Sequence, residues 1–401
     1  MVEEKFQKHI TSNKKLYNSF KNPNTMENFW KFDCRHFMGD RPCKPYWIDR
    51  STCDNCHSHY DPVSKRILII KLDALGDVLR ATPLLRALKK QDPKCHISWI
   101  VEKSGESILR YNKLIDRLFV FSPENCQILK NMEFDLLLSL DKAPKATSLC
   151  NEIKAKEKRG FGLNKFGQPY SLNKGAEYQY GICMDNFGLK TQNNKSFQEM
   201  TFEISEIPYN REEYMLDFPE DKTYINNFKK ENKITNQKII GMITGCGPVY
   251  PYKKWDTGYF IKLINKLPKT YKIILFGEKD EIELNNRIMS EVKDSSNLLN
   301  MANKTDLLQY FNLIKICNLM IAGDTLGMHV AIALKIPIIT VFGPTPHQEI
   351  DLYDRGIKLI GKVPCLNCYN QIPCIQEAEG KINCMQTITV EEMEESIKKL
   401  I

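Results

Sequence analysis

Strand ends marked by glycine, and two sets of four cysteines, hold the residues of this chain whose spacing suits chemistry. The first strand end lies in RILIIKLDALGDVLRATPLLRALKK, residues 66–90. Ile67, Leu68, Ile69 and Ile70 form the continuous apolar run of a strand buried on both faces. Gly76 falls where the backbone must turn sharply and Asp77 where a helix starts. Val78, Ala81, Leu85 and Leu88 follow at helical spacing. In an open α/β sheet such a turn sits at the carboxyl end of a strand, where ligands bind, and the helix dipole keeps an acid there ionised. Asp77 is therefore either a carboxylate facing a ligand or the N-cap of its helix.

The second and strongest strand end is IAGDTLGMHVAIALKIPIITVFGPT, residues 321–345. Gly323 and Gly327 let a ligand approach the backbone, and the first-turn N–H groups of the helix that opens there suit a diphosphate. Thr325 adds a hydroxyl, and Asp324 an acceptor for sugar hydroxyls. His329, more than a turn inside that helix, reads as a packed core histidine. A second buried strand ends beside the same mouth in Phe342-Gly343-Pro344-Thr345. The third strand end is Thr244-Gly245-Cys246-Gly247, followed by Lys253, Lys254 and Trp255. It holds a phosphate through backbone N–H groups and a point charge, or it is an ordinary loop. FGEKDE, residues 276–281, offers carboxylates for ribose hydroxyls or simply begins a helix.

Cys34, Cys43, Cys53 and Cys56 form the first cysteine set, with His36, His57 and His59 as substitutes. Four thiolates so close in sequence suit a tetrahedral zinc or iron site, with unligated thiols or a disulfide or redox role as the alternatives. The segment has few aliphatics with which to hold itself together otherwise. Cys365, Cys368, Cys374 and Cys384 repeat the theme as C-x2-C-x5-C-x9-C. The other six cysteines are scattered and read as small core or loop residues, with Cys246 singled out by its place in the glycine turn.

The elements that must position these residues alternate between strand and helix in two blocks. Strands are predicted at 66–73, 96–101, 117–121, 134–141 and 158–163, then at 238–244, 271–276, 319–322, 336–342 and 357–360. Residues 164–215 read as irregular acceptor-side loops or a hinge. The alternation predicts an α/β architecture: two facing nucleotide-fold domains with parallel sheets and a cleft between them. The domains run 66–217 and 218–361, after a cysteine-rich extension (1–65) and before a cysteine-rich tail and closing helix (362–401). No G-x-G-x-x-G follows a predicted strand, which speaks against a nicotinamide or flavin enzyme. A chain of 401 residues with net charge +8 has an ordinary globular composition with a mildly basic exterior. It contains no apolar run long enough to span a membrane, and its charged N-terminus has no leader-like apolar core. A cytoplasmic protein is expected, and its fourteen cysteines there favour metal sites over disulfides.

In order and spacing, IIKLDALGDVLRATPLLRALK, the KKW after the glycine turn and AGDTLGMHVAIALKIPIITVFGPT resemble the family 9 glycosyltransferases, the ADP-heptose:lipopolysaccharide heptosyltransferases and their relatives. The resemblance covers about residues 66–360 and implies a GT-B fold, inverting transfer without a catalytic metal, and a final helix that crosses back onto the N-terminal domain. It makes Asp77 the general base and Lys253 the lysine that neutralises the leaving diphosphate. Asp324 meets the donor sugar, and Thr325, Gly327 and Met328 form the diphosphate-binding helix start. Thr244 and Gly245 belong to the donor turn, and Glu281 is the ribose acid, with Glu278 its competitor. Gly76 and Arg80 lie on the acceptor side. Arg80 stands where the lipopolysaccharide enzymes usually carry histidine, so the acceptor could differ. The C-terminal cysteines resemble the iron-binding cysteine finger of relatives that heptosylate autotransporter proteins.

The expectation is an inverting enzyme that moves a heptose-like sugar from an ADP-sugar to a lipopolysaccharide core or related surface-glycan acceptor. No catalytic cofactor and no nucleic acid are expected, while structural zinc or iron at the cysteines and peripheral contact with the inner face of the cytoplasmic membrane are. The rivals are a protein O-heptosyltransferase and a catalytically inactive nucleotide-sugar binder.

Overall fold

The computed structural model describes residues 30–185, 188–247, 251–369 and 374–401. The reading of the charged N-terminus, and Pro373 in the second cysteine set, lie outside them. Among the described residues, twelve strands form two six-stranded sheets. The first holds β1 (Arg66–Ile70), β2 (His96–Val101), β3 (Arg117–Val120), β4 (Glu133–Ser139), β5 (Lys154–Leu163) and β6 (Pro169–Ser171) in the order β3-β2-β1-β4-β5-β6. The second holds β7 (Ile239–Ile243), β8 (Lys272–Phe276), β9 (Leu298–Asn300), β10 (Leu319–Gly323), β11 (Ile338–Phe342) and β12 (Gly356–Ile360) in the order β12-β11-β10-β7-β8-β9.

Counted from its own first strand, each sheet has the same doubly wound order, and among these twelve strands the pair β5 and β6 is antiparallel while the other neighbours are parallel. Chain direction across the sheet therefore reverses between β1 and β4, and again between β7 and β10, opening a crevice at the carboxyl ends of those strands. The aliphatic run expected to be buried is buried, with Leu68, Ile69 and Ile70 fully enclosed. One apolar cluster runs from Trp99 and Leu85 in the first half through Val78 to Met328, Val330 and Phe342 in the second. The two halves are thus packed against each other beside the crevice.

Three expectations change. The segment read as loops contains the helices Lys174–Met184, Leu189–Gln192 and Phe197–Ser205. The last is set by a capping box between Ser196 and Glu199 and buries Phe197, Met200 and Phe202. The helix after β1 is two helices, Leu75–Ala81 and Pro83–Gln91, because Pro83 suits a first turn and not a helix interior. The closing helix Val390–Leu400 does not return to the first sheet. Its buried Val390, Met393 and Ile397 pack with Phe260, Leu263 and Ile264 of the second half, and Trp255 Nε1 donates to the Ile388 carbonyl at 2.9 Å.

Candidate active site

Four residues separate β1 from the helix Leu75–Ala81, which has Ala74 as its N-cap and no side-chain cap bond. Asp77 is thus not the cap that its position suggested. Its carboxylate projects from the first turn, with Oδ1 3.1 Å from Arg80 Nη1 and Oδ2 4.0 Å from Lys71 Nζ. Lys71 is in turn held by the buried Asp141. Burial pushes the Asp77 carboxyl up, but Lys71 and Arg80 more than offset this and keep it below the usual carboxylate range. Its side chain stays 36% exposed, so a ligand can reach it.

Gly76 lies against the other half of the molecule. A Cβ there would stand 2.5 Å from Cδ2 of His329, so close approach, rather than the sharp turn expected from sequence, explains the glycine. His329 is buried as expected, yet not remote from the chemistry, since its Nε2 is 3.8 Å from Asp324 Oδ1. Burial lowers the imidazole to about 4, which leaves it neutral at physiological pH.

Asp324 follows β10 and pairs with Lys253: Nζ is 3.0 Å from Oδ2 and donates to the Asp324 carbonyl at 3.1 Å. Burial acts to raise the Asp324 carboxyl, but Lys253, His329 and Arg80 outweigh it and hold the group low. A cationic ammonium and an ionised carboxylate are therefore fixed at the mouth of the helix Leu326–Ala333.

That mouth opens into a cavity of about 540 Å³ whose wall includes Gly245, Glu278, Glu281, Asp324, Thr325 and Gly327. Its small residues leave no spare room. A Cβ at Gly245 would meet Glu281 Oε1 at 2.0 Å, and one at Gly327 would meet Ile243 Cδ1 at 2.0 Å and Tyr310 Oη at 2.3 Å. Glu281 is buried, and its Oε2 accepts the Glu278 N–H at 2.8 Å, whereas Glu278 is exposed on the same wall. Three expected donor residues are not part of this wall: Lys253, which meets it through Asp324, and Thr244 and Met328, which stand back from it. Thr244 is buried and its hydroxyl donates to Asn285 Oδ1 at 2.5 Å. The Met328 side chain is fully buried in the core, while its N–H donates to the Thr325 carbonyl at 3.1 Å. The Cys246 thiol is pushed up by burial and is no activated nucleophile.

Sequence reasoning passed over Lys71, Asp141, Tyr310 and Glu349. Glu349 is the most consequential, because its carbonyl accepts from Arg80 Nη2 at 3.0 Å across the two halves. Nothing local in the sequence marks such a pair.

None of the fourteen cysteines is joined in a disulfide. Cys34, Cys43, Cys53 and Cys56 line one cavity of about 640 Å³ together with His36 and His59. Burial pushes the Cys384 thiol up to about 12, and proximity to Cys368, Cys374 and Cys365 adds to the rise. Among the described residues no three His, Cys, Asp or Glu side chains stand in an arrangement that could hold a metal ion. The donor chemistry of each set nevertheless fits a thiophilic ion.

Residues 125–377, more than half of the chain, match the sequence profile of Glycosyltransferase family 9 (heptosyltransferase). The chain is 24% identical over 352 residues to lipopolysaccharide heptosyltransferase 1 of Campylobacter coli, covering 84% of this chain and 98% of that protein. Among solved structures it resembles the ADP-heptose lps heptosyltransferase II of E. coli, with a TM-score of 0.63 at 17% identity over 84% of this chain and 98% of that one. It also resembles the iron-containing dodecameric glycosyltransferase TibC of enterotoxigenic E. coli, with a TM-score of 0.52 at 12% identity over 84% of this chain and 76% of that one. These structural likenesses show the fold, which is GT-B.

Proposed function

Given that the chain belongs to glycosyltransferase family 9, and is a glycosyltransferase, we propose that it moves a heptose-like sugar from an ADP-sugar to a lipopolysaccharide core or related surface-glycan acceptor. The observation that carries this reading is the meeting of Asp77 with the Lys253–Asp324 pair, from two separate sheets, around the Gly76–His329 contact. The acceptor binds on the Asp77 side, by Gly76 and Arg80, and the donor in the cavity beneath Asp324. Asp77 takes the proton of the acceptor hydroxyl as its oxygen attacks the anomeric carbon from the face opposite the diphosphate, so the configuration inverts. A carboxylate of low pKa suffices because the attacking hydroxyl becomes acidic only as the bond forms.

Lys253 neutralises charge that grows on the departing ADP, an interaction stronger in the transition state than before it. Thr325, Gly327 and Met328 start the helix whose N–H groups hold the diphosphate. Asp324 meets the donor sugar, and Glu281 the ribose. Gly245 lets the donor approach the backbone, and Thr244 supports that turn from behind by its bond to Asn285.

The domain limits 66–217 and 218–361 belong to the same reading. So does a structural zinc or iron ion at Cys34, Cys43, Cys53 and Cys56, and another at Cys365, Cys368, Cys374 and Cys384. Such an ion would cross-link segments that have little core of their own. No helix of the described residues is long and apolar enough to cross a membrane, and the proposal places the enzyme in the cytoplasm, in peripheral contact with the inner membrane face. Calorimetric titration with ADP, GDP and UDP tests the donor. Tighter binding of ADP, weakened by Lys253→Ala, is the expected result, and equal or absent binding of all three would sink the ADP assignment.

A further inference from the structure

We propose that Glu349 and Tyr369 are positioning residues for Asp77, acting through Arg80, so that the cysteine-bearing tail helps to fix the base. The proposal rests on the reading of Asp77 as the base and goes beyond it by naming what holds that base in place.

The connection is continuous. Arg80 is buried on the helix of Asp77, with its guanidinium carbon 3.9 Å from the centroid of the Phe197 ring. Nη1 donates to Asp77 Oδ1 at 3.1 Å, while Nη2 donates to the Glu349 carbonyl at 3.0 Å and lies 3.4 Å from its Oε2. Glu349 ends the short turn His347–Glu349 after β11, and the Tyr369 hydroxyl donates to its Oε1 at 3.3 Å. Tyr369 follows the first two cysteines of the tail. Its N–H donates to the Pro344 carbonyl at 2.7 Å, and that of Asn367 to the Gly343 carbonyl at 3.1 Å. Cys384 closes over the same loop, so tightly that a Cβ at Gly343 would meet its Sγ at 2.4 Å. From the first half, the Lys190 ammonium stands 4.9 Å from the centroid of the Tyr369 ring. The tail therefore touches both halves of the molecule and reaches Asp77 through two side chains.

This arrangement is costly for packing alone. Arg80 Nε is buried without a hydrogen-bond partner, and Glu349 is a largely buried carboxylate. Desolvating such groups is unfavourable unless their contacts repay it. Their geometry shares one cation between two acids. Asp77 faces Lys71 from beyond β1, Arg80 on its own helix, His329 and Asp324 from the second half, and Tyr214 and Glu349 beyond Arg80. Because Glu349 draws on the Arg80 charge, Asp77 keeps more of its basicity than a private ion pair would allow.

The test is the pH dependence of kcat, with ADP-heptose as donor and heptose-deficient lipopolysaccharide core as acceptor, and ADP affinity and melting temperature as controls. In Glu349→Gln, Arg80 is left to Asp77, so the acid limb should move down by about half a pH unit. Its kcat should fall about tenfold, with KM for the donor unchanged. In Arg80→Gln the limb should move up, and Arg80→Lys, which keeps the charge, should restore part of the shift. Tyr369→Phe should lower kcat in the same sense as Glu349→Gln, and these two variants decide the matter if Arg80→Gln does not fold. Limbs that stay with the wild type, or that all move in one direction, with the controls unchanged, overturn the proposal. Turnover that survives in Asp77→Asn removes the base reading itself, and the proposal with it. Loss of turnover in Asp77→Asn with unmoved limbs in the other variants removes only the proposal.

Discussion

Gly76 and His329, on helices of opposite halves, are in contact so close that a methyl group at position 76 would lie 2.5 Å from one ring carbon and 3.1 Å from Nε2. The two halves thus meet at the point where the chemistry is proposed to occur. Gly76→Ala should push them apart there while leaving each half folded, since alanine is the better helix residue by about 1 kcal/mol. Turnover should fall about tenfold or more with the melting temperature unchanged or raised. A kinetic assay beside a thermal melt checks this, and full activity would show that the contact plays no part.

Lys253→Ala removes the cation paired with Asp324. If that cation stabilises the leaving group, kcat should drop about a hundredfold to a thousandfold, with Lys253→Arg recovering part of the loss. A rise in donor KM alone would instead mean that Lys253 serves ground-state binding.

The buried imidazoles give stability a definite pH dependence. His329 and His96 each protonate near 4 in the folded chain, against 6.5 ordinarily, because burial disfavours their charged forms. Between those values the unfolded chain binds more protons, so stability rises with pH. It is complete above about 6.5 and is lost as the pH falls towards 4, by roughly 3 kcal/mol for His329. Asp77 and Asp324, whose carboxyls are held low, add their loss only below the usual carboxylate range. Melting temperature against pH should be flat above 6.5 and fall beneath it, with a shallower fall in His329→Gln. An equally steep fall in that variant would contradict the assignment.

Much of this was legible in advance, for local reasons. Short continuous aliphatic runs such as Ile67–Ile70, closed by turn residues, read as buried strands, so the two sheets and the placing of Asp77 and Asp324 just past strand ends were legible in the sequence. The three-residue edge strands β6 and β9 are too short to show a period. Phe197, Met200 and Phe202 lay within a polar stretch that hid their helical spacing. Thr244 turns inward only because Asn285 is there to accept its hydroxyl. The Arg80–Glu349 bridge depends on how two halves pack, which no local pattern encodes.

The cysteine sets predict stoichiometric metal. Purified protein should carry one zinc or iron ion per set, and Cys53→Ser should lose one equivalent and expose residues 30–65 to proteolysis without changing donor KM. Metal-free protein of undiminished stability would sink both sites.

The most direct measurement of the central claim is sugar transfer from ADP-heptose to truncated lipopolysaccharide core, with wild type beside Asp77→Asn. The proposed mechanism predicts transfer with inversion in the wild type, and its loss by about a hundredfold or more in the variant, with ADP affinity intact. Transfer at the wild-type rate in Asp77→Asn would contradict the assignment of the base, and ADP binding without transfer by either protein would contradict the assignment of the reaction.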